Sequence, residues 1–550
     1  MIRRLLGGSG SNLVAAGILL SRIAGLVREV VLGVALGGVG PVADAFRFAM
    51  RLPNLLQNLL GEGALSASFI PVYARTLTEG DEGDADELAG VIATLLAATT
   101  AVLVALGVLL ARPLVLVFTS WDNDPEQVDL AVTLVRITTV GLGFLVLSAW
   151  CLGVLNSHRR FFLPYVAPVL WNLAQIVVLL VAIGLDWDAS RAAVALAWAV
   201  VAGGVLQFGV QLPTVLRLSP KLKAGFARSA GVDDVLSRFA PAVGSRGVVQ
   251  ISSFVDTFLA GTLVFGAFSA YAPALVLYLL PISLFGFSVA AAELAEMSRR
   301  AGTEAVVTRR ITPALRRVVL PAGFVTAAYL AAGRPLVDAL YGWVSRLAGR
   351  GFDAEGITAV GLVLSAFALG LPAAMTARIT QNTLYSMGEV RGPAVIAVVR
   401  LAVSVVVSVV LMLQLDWLFV ADGTTIERFG DVPHWPLWES VPDVRRLDSD
   451  APPHLGAVGL ALGASAAAWT EWLLLRRLLR RRLGRPVRSG WMRIVALAAT
   501  VSGLAMAVIA NLGLPSPIDA VVIVVVGAGI YGGALWMQGV RGMPQLASES

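Results

Sequence analysis

Hydrophobic stretches long enough to cross a lipid bilayer recur along almost the whole of this 550-residue chain. A hydrocarbon core about 30 Å thick needs roughly 20 apolar residues per helix, and a helix pairs its own backbone polar groups there. Hydrophobic residues make up 57% of the chain and charged residues only 14%. The sequence therefore predicts an all-α polytopic membrane protein without a soluble catalytic domain.

Hydropathy windows predict about 14 transmembrane helices. The predicted spans are residues 12–37, 42–73, 88–118, 128–155, 164–185, 191–216, 236–265, 268–297, 304–333, 356–386, 394–415, 455–475, 491–512 and 518–538. Ser21-Arg22 and Ser245-Arg246 each lie early in a span that opens a group of six, a weak internal echo. The predicted organisation is an N-lobe, a C-lobe and a C-terminal helix pair, over residues 1–225, 226–475 and 476–550.

The charges of the loops predict the orientation of the chain. An even number of spans places both termini on one side, and loops on that side are rich in arginine, as at Arg159, Arg160 and residues 476–488. The opposing loops are acidic, and the largest of them is the segment 416–454. Basic residues accumulate in cytoplasmic loops, so we expect cytoplasmic termini and a periplasmic segment 416–454. A flexible connection is favoured there over an ordered lid.

Composition also limits the partners. Cys151 is the only cysteine, so no intrachain disulfide is possible, and the three histidines have no metal-ligand spacing. The basic residues are spread over short loops, which does not match a nucleic-acid-binding surface. A formal charge of +6 suits an anionic membrane surface or an anionic cargo. We expect membrane lipids as partners, a monomeric state and no cofactor.

Charged residues inside the spans are the strongest functional signal, because an arginine at the bilayer centre costs about 2.5–3.5 kcal/mol. The first two spans carry Arg22, Arg28, Glu29, Asp44, Arg47 and Arg51. Pairs such as Arg28 with Glu29 and Arg47 with Asp44 would merely fasten helices together. Arg22 and Arg51 have no carboxylate three or four residues away, which favours an anion-binding cavity over fastening alone. Arginine suits a diphosphate because its planar guanidinium donates paired hydrogen bonds.

Four motifs follow one another in a specific order: SRIAGLVRE (residues 21–29), ADAF (43–46), RLPNLL (51–56) and EGALSASFIP (62–71). In these motifs the chain resembles the MurJ/MviN family of lipid II flippases, within the MOP exporter superfamily, and weaker likeness continues to about residue 415. The resemblance implies a multi-pass protein of the bacterial inner membrane that is not an enzyme. It would carry lipid II, an undecaprenyl-diphosphate-linked glycan, to the outer leaflet by alternating access through a cationic cavity between two lobes.

The resemblance also implies roles for individual residues. Arg22, Arg28 and Arg51 fall on cavity positions of the family, Glu29 and Asp44 fall on its acidic positions, and Arg378 falls where relatives have a basic residue. Asp256 lies where relatives can bind sodium. A cation site and a protonated carboxyl are equally compatible with Asp256, so sodium or a proton is the expected coupling ion.

Two departures from the family pattern weaken the substrate assignment. Gln57 and Asn58 stand where the family usually has arginine, and Ala274 replaces an arginine expected in the eighth span. Arg246 lies where an apolar residue is expected, so we count it as a substrate-binding candidate that offsets the loss at Ala274.

Four alternative functions stay open at this point. They are export of another polyprenyl-diphosphate-linked glycan, a MATE-like antiporter, a membrane glycosyltransferase and a transport-dead scaffold. The glycosyltransferase would need a carboxylate or histidine constellation at the membrane surface, and the segment 416–454 has only scattered acids.

Overall fold

The computed structural model describes most of the chain. The described residues are 10–79, 82–119, 121, 124–287, 304–387, 389, 391–430, 439–446, 448, 450–483, 490–513 and 515–538, without some of their side chains. Eleven helices among them are long and apolar enough to cross a membrane. The prediction of an all-α polytopic fold is confirmed, while the number of 14 spans stays a prediction.

Contacts between Cα atoms divide the chain into two compact units, Met1–Thr262 and Leu263–Ser550. Unit 1 contains α1 (Gly10–Leu36), α2 (Pro41–Ala49), α3 (Arg51–Leu60), α4 (Glu62–Glu79), α5 (Glu82–Leu109), α6 (Ala111–Phe118), α7 (Pro125–Ser157), α8 (Phe162–Gly184), α9 (Ala189–Leu218) and α10 (Ala230–Gly261). Three of these helices begin at a polar N-cap, since Asp124, Asp188 and Ser229 each accept a hydrogen bond from a backbone N–H three residues on. The division groups α10 with unit 1, and the lobe boundaries predicted from the sequence stay a prediction.

The predicted second span, residues 42–73, is not one continuous helix, because three helices occupy this stretch. The chain breaks at Gly61, whose backbone is not helical and whose N–H donates to the carbonyl of Gln57 at 2.7 Å. A Cβ at Gly61 would lie 2.4 Å from that carbonyl oxygen, so only glycine fits. Pro53 sits in the first turn of α3, where a helix does not need its missing N–H.

Unit 2 contains α11 (Ala267–Pro281), α12 (Glu304–Val337), α13 (Trp343–Ala348), α14 (Ala354–Ser386), α15 (Arg391–Leu415), β1 (Leu418–Ala421), β2 (Thr425–Arg428), α16 (Asp443–Arg446), α17 (Gly456–Leu483), α18 (Gly490–Ala510) and α19 (Ile518–Met537). π-Helical turns follow α11 at Ile282–Phe287 and α12 at Asp338–Gly342. α15 and α17 approach closely, because a Cβ at Gly459 would lie 2.4 Å from the backbone nitrogen of Met412. The hydroxyl of Tyr531 ties α19 to α12 by donating to the carbonyl of Leu320 at 2.7 Å.

The segment 416–454 is folded in its described residues, contrary to the flexible connection that the sequence favoured. β1 and β2 form an antiparallel hairpin, with Leu418 opposite Arg428. The backbone N–H of Phe265 donates to the carbonyl of Arg446 at 3.1 Å, which ties the segment to the turn before α11. We call residues 416–454 the capping segment. These contacts join residues far apart in sequence, so local composition could not reveal them.

Candidate functional site

The charged residues of the first two predicted spans lie in two kinds of place. Some form a buried ion pair, and others lie at or near a cavity. Glu29 of α1 is 3% exposed and binds the guanidinium of Arg47 of α2, which is 7% exposed. Arg28 lies 3.7 Å from the same carboxylate. Glu29 and Arg47 therefore fasten α1 to α2, the role that the sequence analysis offered as the alternative to anion binding.

Arg28 also lies over the indole of Trp171 in α8, with its guanidinium carbon 5.1 Å from the ring centroid. This is a cation–π contact, which orients the guanidinium. The position of Trp171 depends on Gly203 of α9, where a Cβ would lie 2.9 Å from the carbonyl oxygen of Trp171. Gly203 thus allows α8 and α9 to pack closely enough to hold the ring under Arg28.

A cavity of about 380 Å³ lies beside this contact, among helices of unit 1. Its lining includes Arg22, Asn54, Gln57, Trp171, Asn172 and Gln207. Polar groups line much of this space although it lies within a bundle of apolar helices. Intramembrane cavities with polar walls are where transporters hold polar cargo.

The cavity offers hydrogen-bond donors to an anion. The indole Nε1 of Trp171 is buried, and no acceptor reaches it among the described residues. Arg22 is exposed and pairs with no carboxylate in the described part of the chain. The amide of Gln207 donates to Ser148 at 3.0 Å, which holds it at the cavity wall. An unused donor beside an arginine suits an oxyanion such as a phosphate group.

The structure gives the other sequence candidates of unit 1 different surroundings. Arg51 is the first residue of α3 and half-buried, and it is not among the residues lining this cavity, although Asn54 one turn later is. Asp44 is buried in α2. Gln57, which departs from the family pattern, faces the cavity, so a neutral amide stands there in this chain.

Unit 2 contains a separate group of intramembrane charges. Arg378 of α14 is half-buried and interacts electrostatically with Glu471 of α17 and Arg400 of α15. Glu471 also forms an ion pair with Arg400 at 3.3 Å. Tyr278 of α11 lies close to the same charges and stacks on Phe367 with 4.8 Å between ring centroids. Glu471 is therefore the carboxylate that balances two arginines within the spans of this unit.

Three further residues that the sequence analysis named lie in α10 and α11. Arg246 and Asp256 belong to α10, but their side chains lie outside the described residues. Ala274, in the predicted eighth span, lies two turns inside α11, which begins at Ala267. Ala274 is fully buried, so an arginine there would need room that neighbouring side chains occupy.

Several residues of the cavity and of the charged group in unit 2 were not predicted from the sequence. Arg400 and Glu471 lie within long apolar spans, so the cost of intramembrane charge would have identified them. Trp171 and Gln207 carry no such signal, because a tryptophan or an amide in a span is ordinary. Only the packing of α8 and α9 reveals their part in the cavity.

The sequence of this chain is similar to those of known lipid II flippases. The family model described as "Lipid II flippase MurJ" matches residues 34–429. The lipid II flippase MurJ of Burkholderia cenocepacia is 30% identical over 565 residues, covering 98% of each chain. The probable lipid II flippase MurJ of Rhizobium meliloti is 31% identical over 401 residues, covering 70% of this chain and 71% of its own length. The Burkholderia alignment covers nearly the whole chain, whereas the family model begins after Arg22 and Arg28.

Solved structures share the fold. A lipid II flippase MurJ in an inward closed conformation superposes with a TM-score of 0.74 at 18% identity, covering 96% of this chain and 100% of the other. An inward-facing multidrug resistance MATE family transporter of the MOP superfamily gives a TM-score of 0.57 at 17% identity, covering 83% of this chain and 94% of its own. At these identities the likeness concerns the fold alone.

Proposed function

This chain belongs to the MurJ family, and from that premise we propose that it is a flippase for lipid II. It is a multi-pass membrane transporter and not an enzyme. Its cargo is a polyprenyl-diphosphate-linked glycan, which it moves from the inner to the outer leaflet of the bacterial cell membrane by alternating access. It works as a monomer among membrane lipids.

The observation that carries this proposal is a polar cavity of unit 1 lined by Arg22 and Trp171, with Arg28 lying over the ring of that tryptophan. A diphosphate inside a membrane needs several fixed donors, because the surrounding lipid supplies none. The guanidinium of Arg22 and the unused Nε1–H of Trp171 would donate to its oxygens. The cavity thus offers an anionic head group the charge and hydrogen bonds that the bilayer lacks.

In this mechanism the guanidinium of Arg28 is held in a fixed position. Glu29 and the ring of Trp171 hold its guanidinium on two sides, so its position is set before cargo arrives. A preorganised charge loses less conformational entropy on binding than a mobile one. Arg51 and Arg378 are the further candidates for contact with the diphosphate or the sugars, and Arg246 is the candidate that offsets Ala274.

The decisive experiment is replacement of the MurJ of a depleted bacterium by this protein, with lipid II on the outer leaflet measured directly. We expect restored growth and restored exposure of lipid II. Arg28→Gln should lower the flipping rate about tenfold, the loss expected for one charge-assisted hydrogen bond.

The matched control for Arg28 is Arg191→Gln. Arg191 also lies over a tryptophan, Trp187, with 4.4 Å to the ring centroid, but it is exposed and lies outside the cavity. Flipping by Arg191→Gln should equal that of the wild type. A chain that restores growth without exposing lipid II would contradict the proposed cargo, and export of a drug instead would favour a MATE-like antiporter.

We also propose that Asp256 couples transport to a sodium or proton gradient. The support is its place within α10, where a carboxylate is costly in lipid unless an ion or a proton neutralises it. Asp256→Asn should leave the amount of protein in the membrane near the wild-type amount and change the dependence of flipping on the gradient. Equal loss of protein and of flipping would mean that Asp256 serves folding instead.

A further inference from the structure

A groove of about 450 Å³ lies between the beginning of α15 and the end of α17 in unit 2. The two helices touch closely at its edge, because a Cβ at Gly392 would lie 2.4 Å from the Cδ2 of Leu478. Its walls are formed by Val395, Ile396, Leu474 and Leu478, and its rim by Arg391, Arg477 and Arg481. We call this site the arginine groove. It shares no residue with the cavity of unit 1.

The three rim arginines have no ion-pair partner among the described residues. Two neighbouring arginines have partners of different kinds: Arg482 binds the carboxylate of Glu389, and Arg476 lies over the ring of Trp472 with 5.2 Å to its centroid. Glu389 in addition accepts a hydrogen bond from the N–H of Gly392 at 3.0 Å, so the nearby carboxylate is already engaged. Three like charges around one groove repel one another unless an anion lies between them.

The groove continues into the apolar surface of α15. Val395 is 64% exposed and Val398, about one turn further on, is 58% exposed. On a membrane-spanning helix, side chains of this kind face acyl chains. The N-terminus of α15 adds the positive end of a helix dipole beside the rim, since the helix begins at Arg391. The site therefore joins a place for an anion to a path for hydrocarbon chains.

We propose that the arginine groove binds an anionic phospholipid of the bilayer. Its phosphodiester accepts hydrogen bonds from Arg391, Arg477 and Arg481, and its acyl chains lie along Val395 and Val398. Basic pockets between membrane helices are suited to such head groups. A free phosphate ion would leave the apolar walls uncovered, which is why a lipid is the better match.

The test uses the full-length protein in nanodiscs of phosphatidylethanolamine and phosphatidylglycerol, with retained lipids identified by native mass spectrometry. One variant removes the rim charges (Arg391→Gln, Arg477→Gln and Arg481→Gln). The matched control removes the same charge from exposed arginines outside the groove (Arg159→Gln, Arg160→Gln and Arg480→Gln). A third variant, Val395→Trp, fills the groove and leaves all arginines in place.

We expect the wild type and the control to retain phosphatidylglycerol in preference to phosphatidylethanolamine. The rim variant should lose this retention by about tenfold or more, and Val395→Trp should lose it as well. If the rim variant does not fold, Val395→Trp decides the question alone. Equal loss in the rim variant and the control would overturn the proposal, as would full retention by Val395→Trp.

Two competition experiments separate the possible sources of the anion. Soluble glycerol phosphate should not displace the bound lipid, because it lacks acyl chains. Undecaprenyl phosphate should displace it no better than phosphatidylglycerol does. Effective displacement by glycerol phosphate would mean a site for free phosphate, and preferential displacement by undecaprenyl phosphate would mean a site for cargo; either result overturns the proposal.

Discussion

Glu29 is a buried carboxylate that two arginines approach. Its carboxylate lies between Arg47, which it binds in a buried pair, and Arg28, which lies 3.7 Å away on its other side. The pair is only partly satisfied, since Nε and Nη2 of Arg47 reach no acceptor among the described residues. Removing the carboxylate would leave a buried cation without compensation, which costs more than the pair itself contributes.

We therefore predict that Glu29→Gln lowers the free energy of unfolding by about 3–5 kcal/mol. The matched control is Asp129→Asn, which breaks the pair of Asp129 with Arg112, two side chains that are 67% and 55% exposed. Its effect should stay below about 1 kcal/mol because water screens an exposed pair. Denaturant unfolding in detergent micelles measures both, and similar losses in the two variants would contradict the fastening role of Glu29.

At the scale of elements, the capping segment carries two buried titratable groups at its base. The buried carboxyl of Asp416 lies beside the backbone of Val264 and Gly456, while Nδ1 of His454 contacts the carbonyl of Asp416. Burial raises the pKa of Asp416 to about 7 and lowers the pKa of His454 to about 4. The charged groups that face them are Arg446, beside Asp416, and Arg445, beside His454.

These two shifts act on stability in opposite directions. The raised pKa of Asp416 gives stability that is present at low pH and lost as the pH rises towards about 7. The lowered pKa of His454 gives stability that is present above its ordinary pKa and lost as the pH falls towards about 4. Between these limits the folded protein holds one more proton at Asp416 and one fewer at His454 than the unfolded chain, so the effects cancel.

We predict that single substitutions expose the two effects. In Asp416→Asn the stability of the capping segment should fall as the pH is lowered from about 6.5 to about 4, by at most about 1.4 kcal/mol per pH unit. In His454→Gln it should fall as the pH is raised from about 4 to about 7, with the same limit. Hydrogen exchange of residues 416–430 measures both; the same slope in both variants would contradict this account.

At the scale of the whole molecule, the two units hold different chemistry. Unit 1 holds the Glu29–Arg47 pair and the cavity with Arg22, whereas unit 2 holds the group around Glu471, the capping segment and the arginine groove. Cytoplasmic termini would place the arginine groove towards the anionic inner surface and the capping segment outside.

Cysteine labelling tests this orientation, since Cys151 is fully buried and should react little. Val444 in α16 of the capping segment is 91% exposed, and Arg160 between α7 and α8 is also exposed. A membrane-impermeant maleimide should label Val444→Cys in intact cells. It should label Arg160→Cys only after the membrane is opened. The reverse pattern would place the termini outside.

The sequence by itself determined most of the long apolar helices and identified several of the charged residues inside them. Apolar length and turn residues are local properties, so the predicted tenth and eleventh spans, 356–386 and 394–415, agree closely with α14 and α15. The free energy needed to place a charged side chain in lipid depends mainly on that residue and its position in the span. It therefore identified Arg22, Arg28 and Glu29 before any packing was known.

Tertiary structure alone decided which groups meet. Arg47 binds Glu29, 18 residues away, while the sequence offered Asp44 as its local partner. Trp171 reaches Arg28 only because Gly203 lets α8 and α9 pack closely. The capping segment is held by hydrogen bonds between residues distant in the chain. Helix formation depends on neighbours in sequence, whereas ion pairs, cavities and caps depend on distances that only the packed helices define.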